Sequence, residues 1–420
     1  MRTSSAPGRL ERNGSPVTTK SADLYYDPFD FEIDSDPYPV WRRLREEAPL
    51  YYNERYDFYA LSRFDDVKRG LVDWRTYSSA RGTLIEVIKS DMEIPSGFII
   101  FEDPVAHDLH RGLLSRVFTP RKIHALEPRI RDLCARCLDP LVGADGFDFI
   151  TDLGAKMPMQ VIAMLLGLPD AGLESFRGLV DDGLRLEDGN TMPDVAVTQS
   201  KHREQLGAIA DYIDWRAGNP SNDIITELLN AEYLDEKGDR CRLTRDELVN
   251  YVNLLAAAGN ETTTRLIGWT AKVLGDHPDQ RREVAADLGL VPQTIEEVLR
   301  FETPTPMLAR SVTRDVEHYG QVVPEGSVMA MLTASANRDD RQFADGESFD
   351  IHRRIDHHVA FAYGIHFCLG AALARIEGRI ALEEVLKRFP AWDVDTENAV
   401  QARTSTVRGW ERLPVSIDRR

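Results

Sequence analysis

Cysteine is scarce in this chain. Cys134, Cys137, Cys241 and Cys368 are the four in 420 residues, too few and too scattered for a disulfide framework, which points to a reducing compartment. Long apolar runs are also missing: no segment reaches the ~18 uncharged apolar residues of a membrane span. Residues 1–23 are rich in Ser, Thr, Pro and Gly with scattered charge. They lack the apolar core of a signal peptide and read as a mobile tail. A cytoplasmic location is expected. Positive charge is in deficit, 51 Lys and Arg against 69 Asp and Glu for a net charge of −18, which disfavours nucleic acid as a partner. Local basic patches can still dock an acidic protein. What remains is ordinary for a globule, 42% hydrophobic and 29% charged, with ample chain to bury a large ligand.

Strand signals cluster toward the ends and helical periodicity fills the middle. After Asp36-Pro-Tyr-Pro39 a helix is predicted over 40–47, then a strand–turn–strand over 50–62 broken at Asn53-Glu-Arg55. Residues 104–300 read mainly helical. A hairpin is predicted to pair 316–323 with 327–334 across Pro324-Glu-Gly326, and another over 403–417. The pattern predicts a mainly α single domain over 24–420 with a small β lobe. Between Ser78 and Asp103 lies an irregular, strongly apolar stretch, which argues against disorder. Cys134-Ala-Arg-Cys137 falls on a helix-like segment with no second CxxC or His pair, so it reads as core packing, not a zinc half-site.

The most informative residues are Phe361-Ala-Tyr-Gly364-Ile-His366-Phe-Cys368-Leu-Gly370. They put one cysteine in a glycine-flanked loop ahead of a helix predicted over 369–389. A helix N-terminus offers free N–H groups and a positive dipole end, both favouring thiolate. Gly364 and Gly370 have no Cβ to keep a flat ligand away. A thiolate so held suits an axial ligand for haem iron. The run resembles the cysteine-loop signature of the cytochrome P-450 superfamily, Phe-x-x-Gly-x-(Arg/His)-x-Cys-x-Gly, with Ala362 where Gly or Ser is usual.

A long helix is predicted from the capping box Thr244-Arg-Asp-Glu247 to Gly275, closed by His277-Pro278. Thirty residues at 1.5 Å give roughly 45 Å, enough to cross a domain. At its centre stands Ala257-Ala-Gly259-Asn-Glu261-Thr-Thr-Thr264, a turn of poor helix formers expected to bend or open. It resembles the family's oxygen-binding run, which implies that Ala258 and Gly259 leave room for O₂ over the haem. Glu261 and Thr262 would then manage its protons.

The resemblance extends to the scaffold. Glu297 and Arg300 share a helix face at i and i+3; in the family such a pair bonds a later arginine, matched by Arg353. Asn337-Arg-Asp339 matches a family run in which Asp340 replaces the usual Pro. Haem propionates need cations, and the resemblance offers His107, Arg111, Arg310 and His366. It implies the triangular haem-thiolate fold, haem b, and insertion of one atom of O₂ into a hydrophobic small molecule. No fused flavin or iron–sulphur module is expected after the last hairpin. Electrons are therefore expected from a ferredoxin-type donor with an NAD(P)H reductase, docked near Arg116, Arg121, Lys122, Arg354 and Arg375. Pocket residues are expected in 84–100, 173–192, Leu255, Ala258, 304–308 and 407–410, mostly apolar. A peroxide-driven enzyme and a haem sensor without turnover are the rivals; the acid–alcohol pair disfavours both.

Overall fold

The computed structural model describes residues 24–90, 92–168, 195–235 and 237–417. The predicted tail 1–23 and the pocket stretch 173–192 lie outside them. The helices that frame the site are, in chain order, α1 (Tyr38–Glu47), α2 (Phe64–Val72), α3 (Ile85–Lys89), α4 (Ala106–Val117), α5 (Glu127–Leu138), α6 (Met157–Leu166), α7 (Val195–Gly218), α8 (Arg245–Asp276), α9 (Val291–Phe301) and α10 (Ala371–Arg388). A five-stranded sheet stands beside them, made of β1 (Leu50–Asn53), β2 (Phe58–Leu61), β3 (Tyr77–Ser78), β4 (Leu308–Val312) and β5 (Val328–Met331) in the spatial order β1-β2-β5-β4-β3. Only the β2–β5 pairing is parallel, joining Tyr59–Leu61 to Met329–Met331.

Helix α8 is the axis. Thr244 accepts from the Glu247 N–H and the Glu247 carboxylate accepts from the Thr244 N–H at 2.8 Å, so the capping box forms as read. The helix then runs unbroken for 32 residues. The expected opening at its centre does not occur, because the Thr262 hydroxyl bonds its own previous turn, at the Ala258 carbonyl, without displacing the ladder. Gly378 of α10 lets that helix press on α8 and α9; a Cβ there would lie 3.0 Å from Leu266 and 3.4 Å from Ile295. The stretch Phe149–Leu166 is long and apolar enough to cross a membrane by composition, but 67% of it is buried in the fold, and α6 within it packs on α8.

Two strand expectations need correction. Residues 316–323 close a hairpin of their own, with Val316–His318 paired to Gln321–Val323. Tyr319 and Gly320 carry φ of +53° and +73°, the left-handed pair that a two-residue hairpin turn requires. β5 is thereby freed to pair with β4 and β2. In the predicted 403–417 hairpin, Trp410–Arg412 pairs back to Val400–Gln401. Pro414–Ser416 instead joins Asp393–Val394 and Gly146–Asp148.

Candidate active site

The cysteine loop crosses from α9's neighbourhood to the start of α10. Ala362 and Gly364 both take positive φ, +57° and +70°. At 364 the need for glycine is steric as well: a Cβ would sit 2.9 Å from the Leu71 carbonyl oxygen on α2. At Gly370 a Cβ would meet only the Cys368 sulphur, at 3.9 Å. Gly364 therefore serves packing, and Gly370 keeps space beside the sulphur. The Cys368 N–H donates to the Phe361 carbonyl at 2.9 Å, and Arg375 lies 4.5 Å over the Phe361 ring. Arg375 also grips Glu296 through two bonds of 2.6 and 2.9 Å. Burial would raise the Glu296 carboxyl, but His358 and Arg375 hold it down at about 2.

Cys368 is exposed just ahead of α10. Burial raises the thiol above its ordinary value, against the Gly370 and Ala371 N–H groups and the Arg111 and Arg375 cations, which favour thiolate. The donors expected from the helix terminus are thus present but outweighed by desolvation. Thiolate here calls for a further cation, such as a metal.

Beside the sulphur lies a set of basic groups. His107 of α4, 2% exposed, meets His366 with ring centroids 4.6 Å apart, and the Nε2 atoms of both are buried without a partner. Arg310 of β4 is 3% exposed and bonds the Ala309 carbonyl at 2.8 Å. Among the described residues it forms no ion pair, and burial holds it down at about 10. Arg111 donates to the Phe367 carbonyl at 2.6 Å. His366 is pushed down to about 3 by burial and by the charges of Arg310, His107 and Arg111. Four sequence-predicted anchors are therefore neighbours in space. A ligand with carboxylates and a thiophilic metal fits this donor set: it would neutralise the cations, satisfy the two unpartnered Nε2 atoms and meet the sulphur.

On α8, Ala258 is exposed and Thr262 half-exposed one turn on, in a helix otherwise mostly buried. The Thr262 hydroxyl donates to the Ala258 carbonyl at 2.7 Å. Thr264 instead bonds the Gly154 carbonyl at 2.7 Å. Gly259 turns toward α6, where a Cβ would come within 2.4 Å of Ile162; its bareness lets two helices close up, and the open space lies at Ala258. Glu261 is ion-paired with Arg265 at 2.6 Å, both side chains under a tenth exposed. Sequence reasoning overlooked Arg265, although its i+4 spacing from Glu261 was legible.

The scaffold pair is fully buried. Arg300 holds Glu297 through two bonds of 2.7 Å, and Arg353 reaches the same carboxylate at 3.1 Å. Arg300 also caps the Asn337, Gly346 and Ser348 carbonyls. Asp340, standing where Pro was usual, accepts from the Gly346 N–H at 2.8 Å and closes that turn. Cys134 and Cys137 are free; Cys134 lies in the core, where burial pushes its thiol up to about 12. Of the five basic residues expected on the docking face, Arg116, Arg121, Lys122 and Arg354 are exposed. Lys122 and Arg375 are paired with Glu227 and Glu296.

Comparison with known proteins agrees with this chemistry. The Cytochrome P450 family model matches residues 198–408. The putative cytochrome P450 123 of Mycobacterium tuberculosis is 40% identical over 96% of this chain and its own full length. Vitamin D(3) 25-hydroxylase of Pseudonocardia autotrophica is 34% identical over 93% of this chain and 96% of its own. CYP109E1 of Bacillus megaterium, solved in complex with testosterone, superposes with a TM-score of 0.83 at 30% identity, covering 92% of this chain and 99% of that one. The chain belongs to the cytochrome P450 family and is a haem b monooxygenase with that family's mainly α fold, using a redox partner and a small-molecule substrate.

Proposed function

We propose that this enzyme inserts one oxygen atom of O₂ into a hydrophobic small organic substrate in the cytoplasm, with electrons from a separate ferredoxin-type donor and its NAD(P)H reductase. The observation that carries the reading is the exposed Cys368 beside Arg310, Arg111 and the unpartnered Nε2 atoms of His107 and His366. Cys368 would ligate the iron. His107, Arg111, Arg310 and His366 would hold the propionates. Phe361, Gly364 and Gly370 shape the loop, and Glu297, Arg300 and Arg353 brace the fold behind it. When bound, the haem supplies the iron at which dioxygen is activated. Thr262 can exchange its bond to the Ala258 carbonyl for one to a group held in the open space at Ala258, and so orient a proton there. Glu261, adjacent in sequence but about 100° away around the helix, would carry protons from solvent.

An apolar substrate is supported by the lining expected around 84–100, Leu255 and 304–308, and by relatives named for vitamin D(3) and bound to testosterone. Exposed Arg116, Arg121 and Arg354 on a chain of net charge −18 would steer an acidic donor. Cys368→Ser should abolish the long-wavelength Soret band of the reduced carbonyl complex, and an unchanged band would overturn the ligand assignment. Thr262→Ala should still take up electrons but release peroxide, with less product per NADH; tight coupling would make the hydroxyl merely structural. Spectral shifts across a panel of steroids, terpenoids and polyketides would define the substrate. Partner-supported turnover should slow as ionic strength rises.

A further inference from the structure

The carboxylate of Glu261 does not stand alone on its helix. Arg265, one turn on, grips it at 2.6 Å through one guanidinium nitrogen and donates through another to the Trp410 carbonyl of the C-terminal loop. That loop is fastened to α8 at further points. Trp269 donates to the Arg408 carbonyl at 2.9 Å, its ring lies 5.4 Å from that of Trp410, and the Arg408 guanidinium sits 4.8 Å above it. Between these contacts runs Gly409, where a Cβ would come within 2.8 Å of the Arg265 Cδ and 3.0 Å of its Cβ. The loop can approach so closely only because 409 is glycine. On its far side the Arg408 N–H donates to the Pro304 carbonyl at 2.8 Å, which ties the loop to the 304–308 wall of the expected pocket.

Resting on the reading of Glu261 as a proton carrier, we propose that Arg265 is its positioning residue. Arg265 holds the resting carboxylate ionised and in one orientation, ready to take a proton from solvent and pass it on, and locks it to residues 408–410 so that the relay and the C-terminal wall of the pocket shift as one unit. A neighbouring cation favours the charged carboxylate. The two-ended grip of the guanidinium fixes direction as well as charge, because its donors are held in a rigid planar fork. Proton passage needs both, since a carrier must reach its acceptor in the right protonation state.

The test uses the haem-loaded enzyme with a plant-type ferredoxin and its reductase, and follows NADH-driven oxygen consumption and its solvent isotope effect without added substrate. Glu261→Gln and Arg265→Ala should each slow consumption roughly tenfold, about 1.4 kcal/mol at the barrier. Both should alter the isotope effect. The double variant should be no more than about twofold slower than the slower single, because both act through one carboxylate. Arg265→Lys should recover much of the rate, while Gly409→Ala, which displaces the arginine without removing its charge, should lower it. Hydrogen exchange over 402–412 should quicken in Arg265→Ala and stay unchanged in Glu261→Gln. Multiplicative losses in the double variant, or wild-type behaviour of Arg265→Ala, would overturn the positioning role. Wild-type rates in Glu261→Gln would overturn the proton-carrier reading itself, and Arg265's role with it.

Discussion

Replacing Glu297 by glutamine changes one buried atom and tests the scaffold directly. Both Glu297 and Arg300 have side chains with no exposure. The carboxylate accepts from Arg300 twice at 2.7 Å, from the Asp350 N–H at 2.9 Å and from Arg353 at 3.1 Å. Every partner is a donor, so whichever way the amide is turned, its NH₂ meets another donor. Arg300 keeps its charge and three carbonyls but loses its counter-ion. Breaking one side of such a buried pair costs about 3–5 kcal/mol, a fifth or more of a typical stability of roughly 5–15 kcal/mol. Arg353 is 11% exposed and supplies one of the four bonds, so Arg353→Ala should cost about 1.5–3 kcal/mol, the range of a single charged hydrogen bond. Urea unfolding followed by tryptophan fluorescence gives both numbers, and hydrogen exchange should show 344–353 losing protection first. A loss below about 1 kcal/mol in Glu297→Gln, or a larger loss in Arg353→Ala, would refute the counter-ion argument.

Three further outcomes are expected. Gly364→Ala should destabilise the protein by about 2 kcal/mol or more, since an L-residue at positive φ costs about 1–2 kcal/mol and its methyl would strike the Leu71 carbonyl; Gly370→Ala should fold normally and perturb only the haem spectrum. Glu296, held at about 2 against an ordinary 4.5, stabilises the fold above pH ~4.5 by roughly 3 kcal/mol, an advantage lost as pH falls toward 2; Glu296→Gln should flatten acid unfolding in that window, and an unchanged profile would dismiss the linkage. Arg111→Ala/Arg310→Ala should speed haem transfer to apomyoglobin at least tenfold, as removal of charged bonds worth ~1.5–3 kcal/mol each requires, and normal retention would count against both anchors.

What could be read from the chain alone was chemistry confined to a few neighbouring residues. Thr244 and Glu247 lie three apart, and their capping box formed at the expected helix start. The cysteine loop carries its glycines and its histidine within ten residues, directly ahead of its helix, so its geometry was legible. Pairings that depend on distant partners were not. β5 could be matched with β2 only through a parallel register across some 270 residues of chain, and nothing local distinguishes that from the hairpin expected across Pro324-Glu-Gly326. The Tyr319-Gly320 turn held the missing signal, a left-handed pair placed to end the hairpin early. Glycine at 259 was read for the room it leaves a ligand; its actual neighbour, Ile162, comes from a helix nearly a hundred residues earlier. The network of Tyr38 with buried Glu302, Arg338 and Arg408 shows the same limit, since its three charged members look like surface charges in the sequence. Arg265 falls between the two cases. Its bond to Glu261 follows from helical spacing, but its second bond, to Trp410, exists only because the C-terminal loop folds back 145 residues later onto the same helix. A residue of this kind looks like an ordinary helix-face ion pair until the loop beneath it is seen, and there the fold gives it a second role that its sequence position does not reveal.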